Sequence, residues 1–199
     1  MPSDIFQVTM RPLSIEEIES ARVKLLRNAE SLFAESRLLY KHGFFSRSYT
    51  LAHICCEELA KIPMLVGTGL DLANGEEVDW KKLFRRLTAH KEKIEAMHAN
   101  DYFRSEIRAD ESDLKRYEEA LKAIPHLNNM KNNSLYAGLV DDVFLEPAEM
   151  VSEENARELI AITGDRLRHF QRGEKASLGK IAASRVGKKM RQIVKEFNK

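Results

Sequence analysis

The stretch that decides the fold is Ser46-Arg47-Ser48-Tyr49-Thr50-Leu51-Ala52-His53-Ile54-Cys55-Cys56-Glu57-Glu58-Leu59-Ala60-Lys61. At about 100° of rotation per residue, Leu51, Ile54, Cys55, Leu59 and Ile62 share one arc, which is the pattern of an amphipathic helix with a face to bury. Glu58 falls inside that arc and is expected to point into a helical bundle. Two further segments break their apolar stripes in the same way. Between Trp80 and Met97, His90 lies among Leu83, Leu87, Ile94 and Met97. Between Leu114 and Leu139, Asn128, Lys131 and Asn132 lie among Tyr117, Leu121, Ile124, Leu135 and Leu139. A carboxylate, an imidazole and an ammonium are thus all aimed inward. An unpaired buried charge costs about 3–5 kcal/mol, so these groups are expected to meet in one buried polar cluster.

Working outward, 3.6-residue periodicity recurs over most of the 199 residues, and glycine (nine) and proline (five) are sparse, which predicts an all-α bundle of four to six helices without a sheet. Ser14-Ile15-Glu16-Glu17 reads as a capping box opening a long first helix that ends near Gly43. Ser46 is the expected cap of the second helix, and the short link between them predicts an antiparallel hairpin of helices. Pro63 should kink or end the second helix ahead of a loop over 67–77 with an Asn74-Gly75 turn. A third helix is expected from about Asp79 to Asn100. A fourth starts near Asp113, kinked or split by Pro125. Residues 141–150 read as a loop, and Ser152 should cap a helix to about Gln171. A short last helix is expected near Ile181 to Phe197. Residues 1–172 are read as the bundle domain and 173–199 as a basic tail.

The start of the chain lacks the basic and apolar runs of a signal peptide, and no window reads as a membrane span, so a soluble cytoplasmic protein with no membrane partner is expected. Cys55 and Cys56 are helix neighbours that cannot form a disulfide framework; they read as core-filling thiols. Net charge is only +1, yet residues 166–199 carry +9 and the remainder −8. Such a tail can neutralise phosphates, or fold back on the acidic body of its own or a partner subunit; without interleaved aromatics the second reading is favoured. His53 and Glu57 fall on the flank of the second helix, where Glu57 and Lys61 make an exposed i,i+4 pair. Glu95-Ala96-Met97-His98 has the spacing of one half of a di-iron site, but the second copy such sites need is missing, and no metal or cofactor is expected.

The segment Glu57-Glu58-Leu59-Ala60-Lys61 resembles the Glu-Glu-Leu-Gly-Lys hallmark of the AbiV family of bacterial abortive infection proteins, with Ala60 in place of the usual glycine. His90-Lys91 and Lys131-Asn132-Asn133-Ser134-Leu135-Tyr136 are similar to that family's later motifs, in order and spacing. The resemblance covers the chain to about residue 170. It implies a helical bundle of the HEPN group, many of whose members are metal-independent ribonucleases with an Arg-polar-x-x-x-His motif in a dimer cleft. Lys131-Asn132 and Tyr136 have that spacing, with Lys for Arg and Tyr for His. Lys is a point charge without the planar fork of Arg, and Tyr titrates near 10 instead of 6.5.

What the resemblance implies is defence against phage by abortive infection, acting on RNA as a homodimer. In that reading Lys131 and Asn132 hold the phosphate, His90 or Tyr136 is the acid or base, and Glu58 orients Lys131 or His90. The other reading keeps Glu58, His90, Lys131 and Asn132 as a satisfied polar layer in a noncatalytic module whose partner is a phage or host protein.

Overall fold

A computed structural model describes residues 11–105 and 111–183. Eight α-helices and one two-stranded hairpin occur among them: α1 (Ile15–Lys41), α2 (Phe45–Ala73), α3 (Trp80–Thr88), α4 (His90–Ser105), α5 (Glu111–Lys122), α6 (Ile124–Asn133), β1 (Gly138–Val140), β2 (Val143–Leu145), α7 (Pro147–Met150) and α8 (Glu153–Ser177). The expected all-α bundle is the fold, with eight helices in place of four to six and a short hairpin where no sheet was expected.

The capping box is present: Glu17 N–H donates to Ser14 Oγ, and Ser14 N–H donates to the Glu17 side chain. The next link differs. Helix α2 starts at Phe45, so Ser46 lies inside it and its carbonyl accepts from Thr50 Oγ1 at 3.1 Å. Pro63 neither ends α2 nor starts a loop at residue 67; the helix runs on to Ala73, and only Asn74-Gly75 turns, with Gly75 at φ 70°. A proline inside a helix costs about 3 kcal/mol. Beyond it, however, Met64, Leu65 and Gly69 are buried, and each large apolar side chain contributes about 1.5–3 kcal/mol, so packing outweighs the missing bond.

Helix α2 is the axle of the molecule. It packs on α1, α4 and α8, and its two ends meet different clusters. In the middle, Ala29, Cys55, Leu59, Ile62, Met97, Leu167 and Phe170 form the main core. Toward its C-terminal end, Ile18, Met64, Leu65, Leu83 and Ile181 pack together. At its start, Tyr49, Val151 and Ala156 do so. Ser36 and Ser48, both fully buried, fasten α1 to α2 by reciprocal bonds, each hydroxyl donating to the other's carbonyl at 2.8 and 2.9 Å.

The single third helix expected over 79–100 is two. Ala89 is extended (ψ 122°) and ends α3, its N–H still donating to the Arg85 carbonyl at 2.9 Å. The consequence is that His90 opens α4. Pro125 does split the fourth helix, sitting in the first turn of α6. Residues 141–150, expected as loop, hold β2, α7 and the turn of the hairpin. Val140 pairs with Val143, and Asp141 and Asp142 take φ of 47° and 64°, the positive values that a two-residue type I′ turn requires and Asp tolerates.

Ser152 caps α8 as expected, but α8 passes Gln171 and Gly173 to Ser177. The reason is Glu174, which accepts from fully buried Arg22 at 3.0 and 2.7 Å; Arg22 also donates to Glu19 and Ser177. A 3-10 turn over Ile181–Ala183 follows, and the rest of the last expected helix lies outside the described residues.

Candidate functional site

Because α2 is covered on several sides, it carries two buried stripes instead of one. The apolar stripe faces α1 and α8. A polar stripe, Thr50-His53-Glu57 at i, i+3 and i+7, faces α6 and α4. Thr50 Oγ1 meets Ser134 Oγ at 2.7 Å, which seats the end of α6 against the start of α2.

Two turns further along, Glu57 is the hub, with only 3% of its side chain exposed. His90 Nδ1 lies 2.9 and 2.8 Å from its two oxygens, and Lys93 Nζ lies 2.6 Å from Oε2. Lys131 Nζ is 4.0 Å from Oε1 and donates to Asn128 Oδ1 at 3.1 Å. His53 Nε2 lies 3.4 Å from Oε1 without hydrogen-bond alignment and is otherwise unpartnered.

Burial alone would raise the pKa of Glu57. Bonds from Lys93 and His90, the close approach of His53 and the Lys93 charge overcome that penalty and bring it down to about 2. Glu57 is therefore a carboxylate at neutral pH, and His90 Nδ1 must carry the hydrogen toward it. In a neutral ring this fixes Nε2 as the basic nitrogen. The His90 side chain is 57% exposed, whereas those of Lys93 and Lys131 are 7% and 11% exposed. The arrangement is an imidazole oriented by a buried carboxylate and backed by two ammonium groups, with cations in excess over the single anion.

His90 and Lys131 thus come together as expected, but three of the other expected site residues do not join them. Glu58 is not in the cluster. One residue on from Glu57, it is turned by about 100° toward α1, where it pairs with Lys61 and accepts from Asn28 Nδ2 at 3.1 Å. The expected Glu57–Lys61 pair is accordingly a Glu58–Lys61 pair, and His53 is buried instead of flanking. Asn132 is exposed, because Lys131 takes the inward position of α6. Tyr136 is 64% exposed and lies beyond α6, which ends at Asn133, so helical spacing does not carry it back to Lys131. Asp141 and Asp142 form the hairpin turn.

Sequence reasoning missed Glu57 as the hub, Lys93 and buried His53. Two signals pointed to them: His53 and Glu57 are one turn apart, and His90 and Lys93 are one turn apart.

A second polar group lies on the other side of α2. Arg166 donates to Asp101 at 2.9 and 2.6 Å and to Cys56 Sγ at 3.3 Å, and Cys56 lies 3.2 Å from Thr163 Oγ1. Burial, then the Arg166 charge, pushes the neighbouring His98 down to about 4 against the pull of Asp101, so that ring is neutral at pH 7. Burial also raises the Cys55 thiol, which keeps it protonated.

The family model for AbiV, of the HEPN group, matches residues 17–168. No curated protein and no solved structure matches the chain.

Proposed function

From the membership of this chain in the AbiV family, we propose that it acts in abortive infection against phage, and that its target is RNA, bound and cleaved without a metal at the Glu57–His90 site. The observation that carries this reading is the half-exposed His90, held at Nδ1 by a buried carboxylate with Lys93 and Lys131 behind it. A phosphodiester brought to this face meets positive potential and an oriented base. His90 Nε2 takes the 2′-hydroxyl proton, the 2′-oxygen attacks phosphorus, and the bond to the 5′-oxygen breaks as that oxygen takes a proton from water, leaving a cyclic phosphate and a 5′-hydroxyl; His90 then returns its proton to solvent. Lys93 and Lys131 act mainly through Glu57, which they hold ionised. Asn132 and Tyr136, exposed at the end of α6 and beyond it, supply contacts to the strand, Tyr136 by stacking on a base. The site works in a cytoplasmic homodimer. Among the described residues no helix is long and apolar enough to cross a membrane.

The test is incubation of the purified protein with end-labelled transfer and messenger RNA in EDTA, beside His90→Gln, Lys131→Ala and Tyr136→Phe. His90→Gln should keep its melting temperature and lose cleavage by about 10²–10⁴-fold, the usual worth of a positioned acid–base group. RNA left uncut by the wild type, or cut equally by His90→Gln, would overturn the nuclease reading in favour of a module that binds a phage or host protein.

A further inference from the structure

We propose that the exposed β1–β2 hairpin is the docking surface for residues 184–199 of a second copy of this chain, so that two subunits exchange their basic C-terminal segments. The hairpin presents Leu139, Val140, Val143 and Phe144 to solvent, with Phe144 73% exposed. An isolated two-stranded ribbon is marginal in water, and an apolar one with free edges is a surface that needs a cover. Its charge says what kind. From Asn132 to Ala156 the chain carries six acidic residues, Asp141, Asp142, Glu146, Glu149, Glu153 and Glu154, and no Lys or Arg. The cover should therefore be apolar and basic together.

Residues 184–199 have that composition. Arg185, Lys188, Lys189, Arg191, Lys195 and Lys199 against Glu196 give +5, and Val186, Met190, Ile193, Val194 and Phe197 supply the apolar groups.

The place from which this segment departs makes the contact intermolecular. The hairpin is tied to the start of α2 on both sides: Arg47 donates to the Leu135 carbonyl at 2.8 Å, and Val151 packs with Tyr49. Ile181 is buried at the far end of α2, where it would lie 2.9 Å from a Cβ placed on Gly69. The 22 helical residues between Arg47 and Gly69 span about 33 Å at 1.5 Å each. A segment leaving residue 183 would use much of its own length crossing that distance, leaving few of its apolar groups for its own hairpin. The hairpin of a second copy, related by a two-fold axis, imposes no such crossing, and the exchange then closes after two subunits.

The experiment places a benzophenone amino acid at Phe144 of the full-length chain and irradiates a mixture of isotopically heavy and light protein. The expected result is crosslinks from position 144 to peptides of 184–199 in mixed heavy–light pairs. Their yield should fall several-fold in Lys188→Glu/Lys189→Glu, in Asp141→Asn/Asp142→Asn, which keeps the positive-φ turn, and at about 1 M salt, where the Debye length is about 3 Å. Crosslinks to another hairpin or to the helical body, crosslinks only within one isotope, no crosslinks to 184–199, or a yield unmoved by these charge changes would each overturn it.

Discussion

Replacing Glu57 by Gln is the substitution that separates this structure from its nearest competitor, a site centred on Glu58. Gln keeps the shape and can still accept hydrogen bonds, but it removes the anion that faces Lys93 and Lys131, whose side chains are 7% and 11% exposed. Breaking a buried pair by removing one partner costs about 3–5 kcal/mol, and a flexible lysine stem can carry part of its charge outward, which puts the expected loss near the lower end, about 3 kcal/mol. For a domain of this size each kcal/mol is worth about 2–4 °C, so Glu57→Gln should melt about 6–12 °C below the wild type. Glu58→Gln removes a pair at the edge of α1 and α2 whose members are 14% and 20% exposed, and should cost no more than about 1 kcal/mol, or about 2–4 °C. Thermal unfolding followed by circular dichroism at pH 7 reads both. Equal shifts, or a larger one for Glu58→Gln, would refute the assignment of Glu57 as the hub.

The same carboxylate has a pH signature. Its folded pKa of about 2 lies below the ordinary 4.5, so its stabilisation is complete above about pH 4.5 and fades as pH falls through 2; the stability gap between wild type and Glu57→Gln, up to about 3 kcal/mol, should close over that window in urea titrations. Arg22→Met leaves Glu174 buried without its guanidinium and should cost about 3–5 kcal/mol in urea unfolding, much of it regained in Arg22→Met/Glu174→Leu. Gly69→Ala puts a Cβ 2.9 and 3.1 Å from Ile181 and should expel residues 181–183, seen as faster tryptic cleavage after Lys180; Ile181→Ala in the same chain should reverse the effect.

The elements that proved readable are those whose signal is local. The capping box at Ser14, the cap at Ser152, the Asn74-Gly75 turn and the break at Pro125 depend on residues a few positions apart, and each stands where the sequence puts it. What failed depended on surroundings. Pro63 sits inside α2 because the residues after it are buried by partners far away in the chain. The break at Ala89 carries neither the glycine nor the proline that would announce it. The polar cluster was legible as a cluster, and its His90 and Lys131 were legible as members. Its anion was misplaced by one residue, because an apolar arc identifies the inward face only for a helix buried on one side, and α2 is buried on several. Tyr136 came from the motif spacing of the resemblance, and it lies past Asn133, where α6 stops.

The cluster joins segments that are far apart in the chain. Helices α1 and α2 are local partners, so the pair can close as soon as it has been made, with Glu57 already on its surface. The cations that complete the cluster come later, Lys93 from α4 and Lys131 from α6. A ribosome that has finished α2 has therefore made the carboxylate but not its histidine, and one that has finished α4 still lacks Lys131. The proposed site is therefore incomplete on the nascent chain until α6 has been made. The order of residues along the chain thus sets when the cluster can close.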